Sequence, residues 1–309
     1  MNAEPQALCL GLVQMHMSDA PTDNLDRAVD GIRDAAGSGA QLVCLPELFR
    51  SRYFCQSEDA AHFALAEPVP GPTTRQLTKL ADELGITLIA SLFELRAPGL
   101  YHNTAVVIDA GAGYLGAYRK MHIPDDPRYY EKFYFTPGDL GFKAFATRAG
   151  KVGVLVCWDQ WYPEAARLTA LAGAEMLIYP TAIGWHPEEQ QAVNLAQHEA
   201  WETAQRAHAI ANGCYVIAVN RTGFEHDPAG SGGIQFWGQS FVAAPDGTVV
   251  VRASADRDEV IVCEIDLASI GRQRVGWPFL RDRRIDAYAD LTRRFIDWAR
   301  LSRYCCCDC

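Results

Sequence analysis

Glu47, Lys120 and Cys157 are the side chains of this sequence whose types and places could do chemistry together. Each stands at or just past the end of an apolar, strand-like run, over residues 42–45, 115–119 and 151–156 respectively. In α/β sheets ligands collect beyond the C-terminal ends of strands, so groups placed there can converge on one substrate. A cysteine attacks a carbonyl or nitrile carbon. A carboxylate takes the thiol proton and later activates water, and an ammonium stabilises the tetrahedral oxyanion. A lysine beside the thiol is also expected to pull its pKa down. Strand-end charges are often only solvated, so spacing alone does not make these three a site.

The neighbourhood of Cys157 carries more information. The run Lys151-Val152-Gly153-Val154-Leu155-Val156 reads as a buried strand. Pro163 fits the first turn of a helix, where no N–H is needed, and the alanine- and leucine-rich residues 164–172 continue it. Cys157 is therefore expected between a strand end and a helix start, where free N–H groups and the helix dipole favour a thiolate and an oxyanion. A cysteine in such a run is ordinarily a core side chain, but Trp158-Asp159-Gln160-Trp161-Tyr162 is a polar and aromatic crowd.

The elements that must position these groups follow from the pattern of the whole chain. Strands are expected over 8–15, 42–45, 87–94, 104–108, 115–119, 142–147, 151–156, 176–179, 215–219, 239–243, 248–251 and 260–265. Helices are expected over 23–36, 73–84, from Pro163 to 172, over 193–212 and near 290–303. The alternation of strands and helices, interrupted by hairpins, predicts an α/β fold of two mixed sheets covered by helices. Composition is even along the chain, so residues 1–309 read as one domain, with a core over about 7–300 and a Cys-rich tail over 301–309.

Length and charge bound the function. The 309 residues, 49% hydrophobic, suffice for a sizeable core. A net charge of −10 argues against nucleic acid or an anionic membrane as partner and is compatible with a cationic small substrate. No apolar run reaches membrane-span length and the first residues are not a secretory signal, so a cytoplasmic protein is expected. Of ten cysteines, six are scattered, several in apolar runs as reduced core residues are, and four crowd into Cys305-Cys306-Cys307-Asp308-Cys309. The tail lacks the separated pairs of a zinc site, and neither metal nor cofactor is expected.

The words around the three groups are more specific than their spacing. Leu45-Pro46-Glu47, Tyr118-Arg119-Lys120-Met121-His122-Ile123-Pro124 and Cys157-Trp158-Asp159-Gln160-Trp161-Tyr162-Pro163-Glu164 resemble, in that order, the signature segments of the nitrilase superfamily, the carbon–nitrogen hydrolases. The resemblance extends from about residue 8 to about residue 300. Residues 129–139 and Tyr179-Pro180-Thr181-Ala182-Ile183-Gly184 look most like its N-carbamoylputrescine amidohydrolase members. The resemblance implies a four-layer αββα sandwich and a small-molecule carbamoyl amine substrate, hydrolysed to putrescine, carbon dioxide and ammonia. It also implies a homo-oligomer, dimeric or higher, with the helix after Pro163 and a closing C-terminal arm as interfaces.

By the same resemblance Glu47 is the general base, Lys120 the oxyanion stabiliser and Cys157 the nucleophile. Glu131 helps position substrate and lysine, and the backbone N–H of Trp158 completes the oxyanion hole. Tyr53, Asp126, Thr181, Trp185 and Glu188 are further candidates for substrate contact. Where family members often carry Ser-Glu-Pro after the glycine, this chain has Trp185-His186-Pro187-Glu188-Glu189, so the acid that meets a distal amine is Glu188 or Glu189. Tyr53, Trp185 and Trp237 suit a pocket or a core equally, and Asp126 beside Pro127 suits a turn as well as a ligand.

Three other segments are weaker. His198-Glu199-Ala200-Trp201-Glu202 lacks the second histidine of a zinc helix, and Gly230-Ser231-Gly232-Gly233 lacks the lysine and helix of a phosphate loop. Arg281-Asp282-Arg283-Arg284 suits ion pairing within an acidic chain. The rival functions are an amidase, a nitrilase or an N-carbamoyl amino acid hydrolase of the same fold, and, in another class, a non-catalytic binding or scaffold protein.

Overall fold

The computed structural model describes residues 7–228, 230 and 232–296. The strands in chain order are β1 (Ala7–Gln14), β2 (Leu42–Cys44), β3 (Thr87–Ala97), β4 (Leu100–Asp109), β5 (Gly113–Arg119), β6 (Ala144–Thr147), β7 (Gly150–Val154), β8 (Met176–Thr181), β9 (Gly184–Trp185), β10 (Tyr215–Asn220), β11 (Thr222–His226), β12 (Gly233–Trp237), β13 (Phe241–Ala243), β14 (Val249–Arg252) and β15 (Glu259–Asp266). The helices are α1 (Pro21–Gly37), α2 (Pro72–Leu84), α3 (Glu131–Tyr134), α4 (Pro163–Leu171), α5 (Gln191–Asn212) and α6 (Ala268–Gly276).

One mixed sheet runs β15-β1-β2-β3-β4-β5 and a second runs β14-β13-β10-β8-β7-β6. Period-two alternation decides which side chain faces which layer. Leu10, Leu12, Cys44, Ile89 and Val107 face Val152, Val154, Ile178 and Ile217 of the second sheet in one buried core. Their strand neighbours Val13, Val43, Leu88, Val106 and Ile108 turn outward onto Ile32 of α1 and Leu77 and Leu80 of α2. On the far side, Ala165 and Ala166 of α4 and Trp201 and Ala209 of α5 are fully buried. The result is the αββα sandwich expected.

Helix ends follow local chemistry. Pro21, Pro72 and Pro163 open α1, α2 and α4, and Gly85 and Gly213, both left-handed at φ 70° and 54°, close α2 and α5. A small antiparallel sheet, β11-β12-β9, was not expected from the sequence. Thr222-Gly223-Phe224-Glu225-His226 has little β-branched character and forms a strand by pairing with β12. The glycines at 230 and 232, read above as a loop, belong to that hairpin's connection, and Gly233 begins β12 opposite His226. Of the expected terminal helix, the described part is a 3₁₀ turn, Ala289–Thr292, and extended backbone at Arg293. The remainder, with the tail Cys305–Cys309, lies outside the described residues.

Candidate active site

Three chain segments bring the chemistry together. After β2, the Leu45 N–H still donates to Ile89 O (3.0 Å), and the Glu47 N–H crosses to the second sheet to reach Thr181 O (3.3 Å). The next residue, Leu48, is left-handed at φ 49°. The fully buried Arg221 holds this bend: its Nη2 donates to Glu47 O (2.7 Å) and Leu48 O (3.2 Å), and its Nη1 to Ser51 O (3.3 Å). Lys120 follows β5 directly, with its N–H on Asn103 O (2.9 Å) and its carbonyl accepting from the Gly138 N–H (2.8 Å). A Cβ at Gly138 would sit 1.9 Å from Arg119 O, so a residue without one is required there.

Cys157 opens a 3₁₀ turn, Cys157–Trp161, three residues beyond the end of β7 and before α4. Its backbone is left-handed at φ 43°. Non-glycine residues pay roughly 1–3 kcal/mol for such backbone, and it persists only where surroundings over-determine it, most often at functional sites. Among the described residues the Trp158 N–H, at the start of this turn, makes no hydrogen bond.

The side chains form one buried network. Lys120 Nζ donates to Glu47 Oε1 (2.8 Å) and to Glu131 Oε2 (2.7 Å), and all three residues are 0% exposed. Asn103 Nδ2 donates to Glu47 Oε1 (2.6 Å) and the Tyr53 hydroxyl to Glu131 Oε1 (2.6 Å). Glu47 Oε2 is buried without a hydrogen-bond partner among the described residues, leaving one carboxylate oxygen able to take a proton. Cys157 Sγ lies 3.8 Å from Ala182 O.

Charges and burial set the protonation states. Burial works against the Lys120 ammonium, but Glu131 and Glu47 outweigh it and hold its pKa well above the ordinary lysine range. Burial, helped by the charge of Glu47, pushes the Glu131 carboxyl up against the pull of Lys120. The Cys157 thiol rises well above its ordinary value: burial and the charges of Glu47 and Glu131 exceed the lowering by Lys120. This corrects the expectation of a lowered thiol. One ammonium beside two carboxylates in a buried site favours the thiol over the thiolate at Cys157.

Above this floor is a cavity of about 410 Å³. Glu131, Cys157 and Trp158 reach it from below, and Trp161, Trp185, Trp237, Tyr129 and Ile183 form apolar walls. Asp126, His186, Glu189 and Gln197 supply its polar groups, and no lysine or arginine is among the described residues lining it. Glu189 Oε2 is buried and has no hydrogen-bond partner among the described residues. Gly184 closes one wall, its N–H donating to the Tyr129 hydroxyl (3.2 Å).

Of the expected substrate contacts, Glu131, Trp158, Asp126 and Trp185 border the cavity, and Tyr53, Thr181 and Glu188 do not. Tyr53 is 1% exposed and stands behind Glu131, with its N–H on Glu225 Oε2 (2.5 Å). Thr181 Oγ1 turns back to Tyr179 O (3.0 Å). Glu188 points outward to Arg128. Asn103 and Arg221 were not singled out from the sequence. A signal existed for both, since each is a polar residue at the edge of an apolar strand, but nothing local told which partner it would meet.

Residues 9–275 match the carbon–nitrogen hydrolase family. An N-carbamoylputrescine amidase of Oryza sativa subsp. japonica is 45% identical over 279 residues, which cover 89% of this chain and 91% of that protein. One of Solanum lycopersicum is 42% identical over 93% of this chain and 96% of that protein. A crystal structure of a carbon–nitrogen hydrolase from Helicobacter pylori G27 superposes with a TM-score of 0.91 at 49% identity, covering 94% of this chain and all of that one. The chain belongs to the carbon–nitrogen hydrolase family.

Proposed function

We propose that this enzyme hydrolyses N-carbamoylputrescine to putrescine, carbon dioxide and ammonia. The observation that carries the choice of substrate is the charge of the cavity. Asp126 and the unpartnered carboxylate oxygen of Glu189 lie among apolar and tryptophan walls, with no lysine or arginine lining it among the described residues. A carboxylate-bearing substrate would meet only like charge there. A cationic amine at the end of an apolar tether meets both carboxylates and aromatic faces. The two plant relatives carry the name of this activity.

In this reading Cys157 Sγ attacks the carbamoyl carbon as Glu47 Oε2 takes the thiol proton. The oxyanion forms against Lys120 Nζ and the Trp158 N–H. Glu47 returns the proton to the departing nitrogen, leaving a carbamoyl thioester on Cys157. Water enters, Glu47 takes its proton, and attack on the thioester carbon releases the thiol and the remaining carbamate fragment. Glu131 and Tyr53 hold Lys120 in line, and Asn103 fixes the Glu47 carboxylate.

Ammonia release from N-carbamoylputrescine and from N-carbamoyl amino acids of matching length tests the assignment. A buried carboxylate facing its like costs several kcal/mol, so a preference of about 100-fold or more in kcat/KM for the amine is expected. No turnover of the polyamine derivative would remove this reading. We also infer a single hydrolase domain that works as a cytoplasmic homo-oligomer. Leu168 and Leu171 on α4, and Trp277, Phe279 and Ile285 on the closing arm, are exposed apolar residues suited to a subunit contact. Light scattering at micromolar concentration checks this: a monomer would reject it.

A further inference from the structure

Lys120 and Cys157 follow strands of different sheets, yet their chain segments meet at one side chain. Asp159, two residues beyond Cys157, is 0% exposed. Its Oδ1 accepts from the His122 N–H (3.1 Å) and from His122 Nδ1 (2.7 Å). Its Oδ2 accepts from the Tyr118 hydroxyl (2.9 Å) and the Val156 N–H (2.9 Å). Tyr118 and His122 are the residues two before and two after Lys120, and Val156 immediately precedes Cys157. The ring of His122 also stacks on Tyr162 at 3.7 Å between centroids and 6° between planes. The Tyr162 N–H in turn donates to Asp159 O (3.1 Å).

A carboxylate has about four acceptor sites, and four donors occupy them here. No hydrogen-bonding capacity is left over for substrate, and Asp159 does not line the cavity. Such a group has one geometry available, which makes it a ruler rather than a reactant. We propose that Asp159 is a positioning residue that sets the separation of Lys120 from Cys157 by binding the residues on both sides of Lys120 to the turn that carries Cys157. The inference rests on the reading of Cys157 as nucleophile and Lys120 as its oxyanion partner, but not on the identity of the substrate.

Replacing the carboxylate by an amide is a sharp test, because an Asn can accept at one oxygen only and turns an N–H₂ toward two donors. Asp159→Asn is compared with Tyr118→Phe, which removes a single bond and keeps the ring in place. Misplacing reacting groups by about 1 Å costs on the order of 100-fold in rate, so kcat per folded site is expected to fall about thirtyfold or more in Asp159→Asn and about fivefold in Tyr118→Phe, with KM within about threefold in both. Alkylation of Cys157 by iodoacetamide, followed against pH, reads the same geometry without substrate. Its profile is expected to move to higher pH in both variants as Lys120 drifts from the sulfur. A scaffold role alone would lower the melting temperature and leave kcat per folded site and the alkylation profile unchanged, and that result overturns the proposal. If Asp159→Asn does not fold, Tyr118→Phe decides, and an unchanged profile there rejects it. A wild-type enzyme that alkylates normally but does not release ammonia from N-carbamoylputrescine counts against the substrate assignment alone.

Discussion

The floor of the cavity and its rim are built on opposite terms. On the floor, Glu47 and Lys120 just past strand ends and Glu131 at the start of α3 are fully buried, and among the described residues their polar side-chain atoms are bonded except Glu47 Oε2. On the rim, Asp126, Arg128, His186, Glu188 and Glu189 sit on loops, and the side chain of Glu188 is 52% exposed. A buried pair broken on one side leaves a charge with no solvent to stabilise it, so the floor tolerates little change. Exposed pairs contribute about 0–1 kcal/mol, so the rim is free to vary. The floor is held by strand ends and the short turns beyond them, and the rim by loops.

The largest expected effect is on the floor. Cys157→Ala should lower kcat by about 10⁴-fold or more, measured by ammonia release, while leaving the fold intact by circular dichroism. Lys120→Met strands Glu47 and Glu131 as buried, unneutralised carboxylates. A loss of about 3–5 kcal/mol in urea unfolding should accompany a kcat reduced by about 1,000-fold. If stability is unchanged, the floor is wetter than described.

A third group, away from both regions, calibrates the acid response. His208 lies on α5 with Nδ1 3.3 Å from the Tyr179 hydroxyl, and burial lowers its pKa to about 4 against a weaker opposing pull from Glu164. Its folded pKa is below the unfolded value of about 6.5, so the unfolded chain binds more protons between those values. The contribution is complete above about pH 6.5 and is lost as pH falls toward 4, by about 3 kcal/mol in all. Urea unfolding at pH 7 and pH 5 should show about 2 kcal/mol of this drop in the parent and a flatter response in His208→Gln.

The rim gives the smallest effects and the clearest contrast. Glu189→Gln should raise KM for the amine substrate by about 10–100-fold with kcat within threefold, the loss of one charge-assisted hydrogen bond. Glu188→Gln, one residue away, should change KM less than about twofold, because the Glu188 side chain is half-exposed, turns to Arg128 and does not line the cavity. Equal effects at the two positions would erase the distinction between inward and outward carboxylates.

Much of the floor was legible before any coordinates. Apolar runs at 42–45, 115–119 and 151–156 end at Glu47, Lys120 and Cys157, and strand ends of one sandwich point to one place. The partners were not legible. Asn103, Asp159 and Arg221 act through contacts across 56, 37 and 174 residues respectively, and local pattern says nothing about such pairings. The rim was opaque for another reason: 185–190 has no strand or helix period, so which of Glu188 and Glu189 turns inward is decided by Arg128 and the loop's own hydrogen bonds. The thiol's direction of shift failed because one attractive lysine was counted without the burial and the two carboxylates that oppose it.

A raised Cys157 thiol bears on the enzyme's lifetime. Peroxide reacts with the anionic sulfur far faster than with the neutral one, and the first product, a sulfenic acid, leads on to forms that cells do not readily reverse. In the proposed reaction the sulfur surrenders its proton only when an electrophilic carbon is in place, and so spends little of each cycle in the oxidisable form. Lowering the thiol's proton affinity by engineering would therefore exchange endurance under oxidant for reactivity at rest.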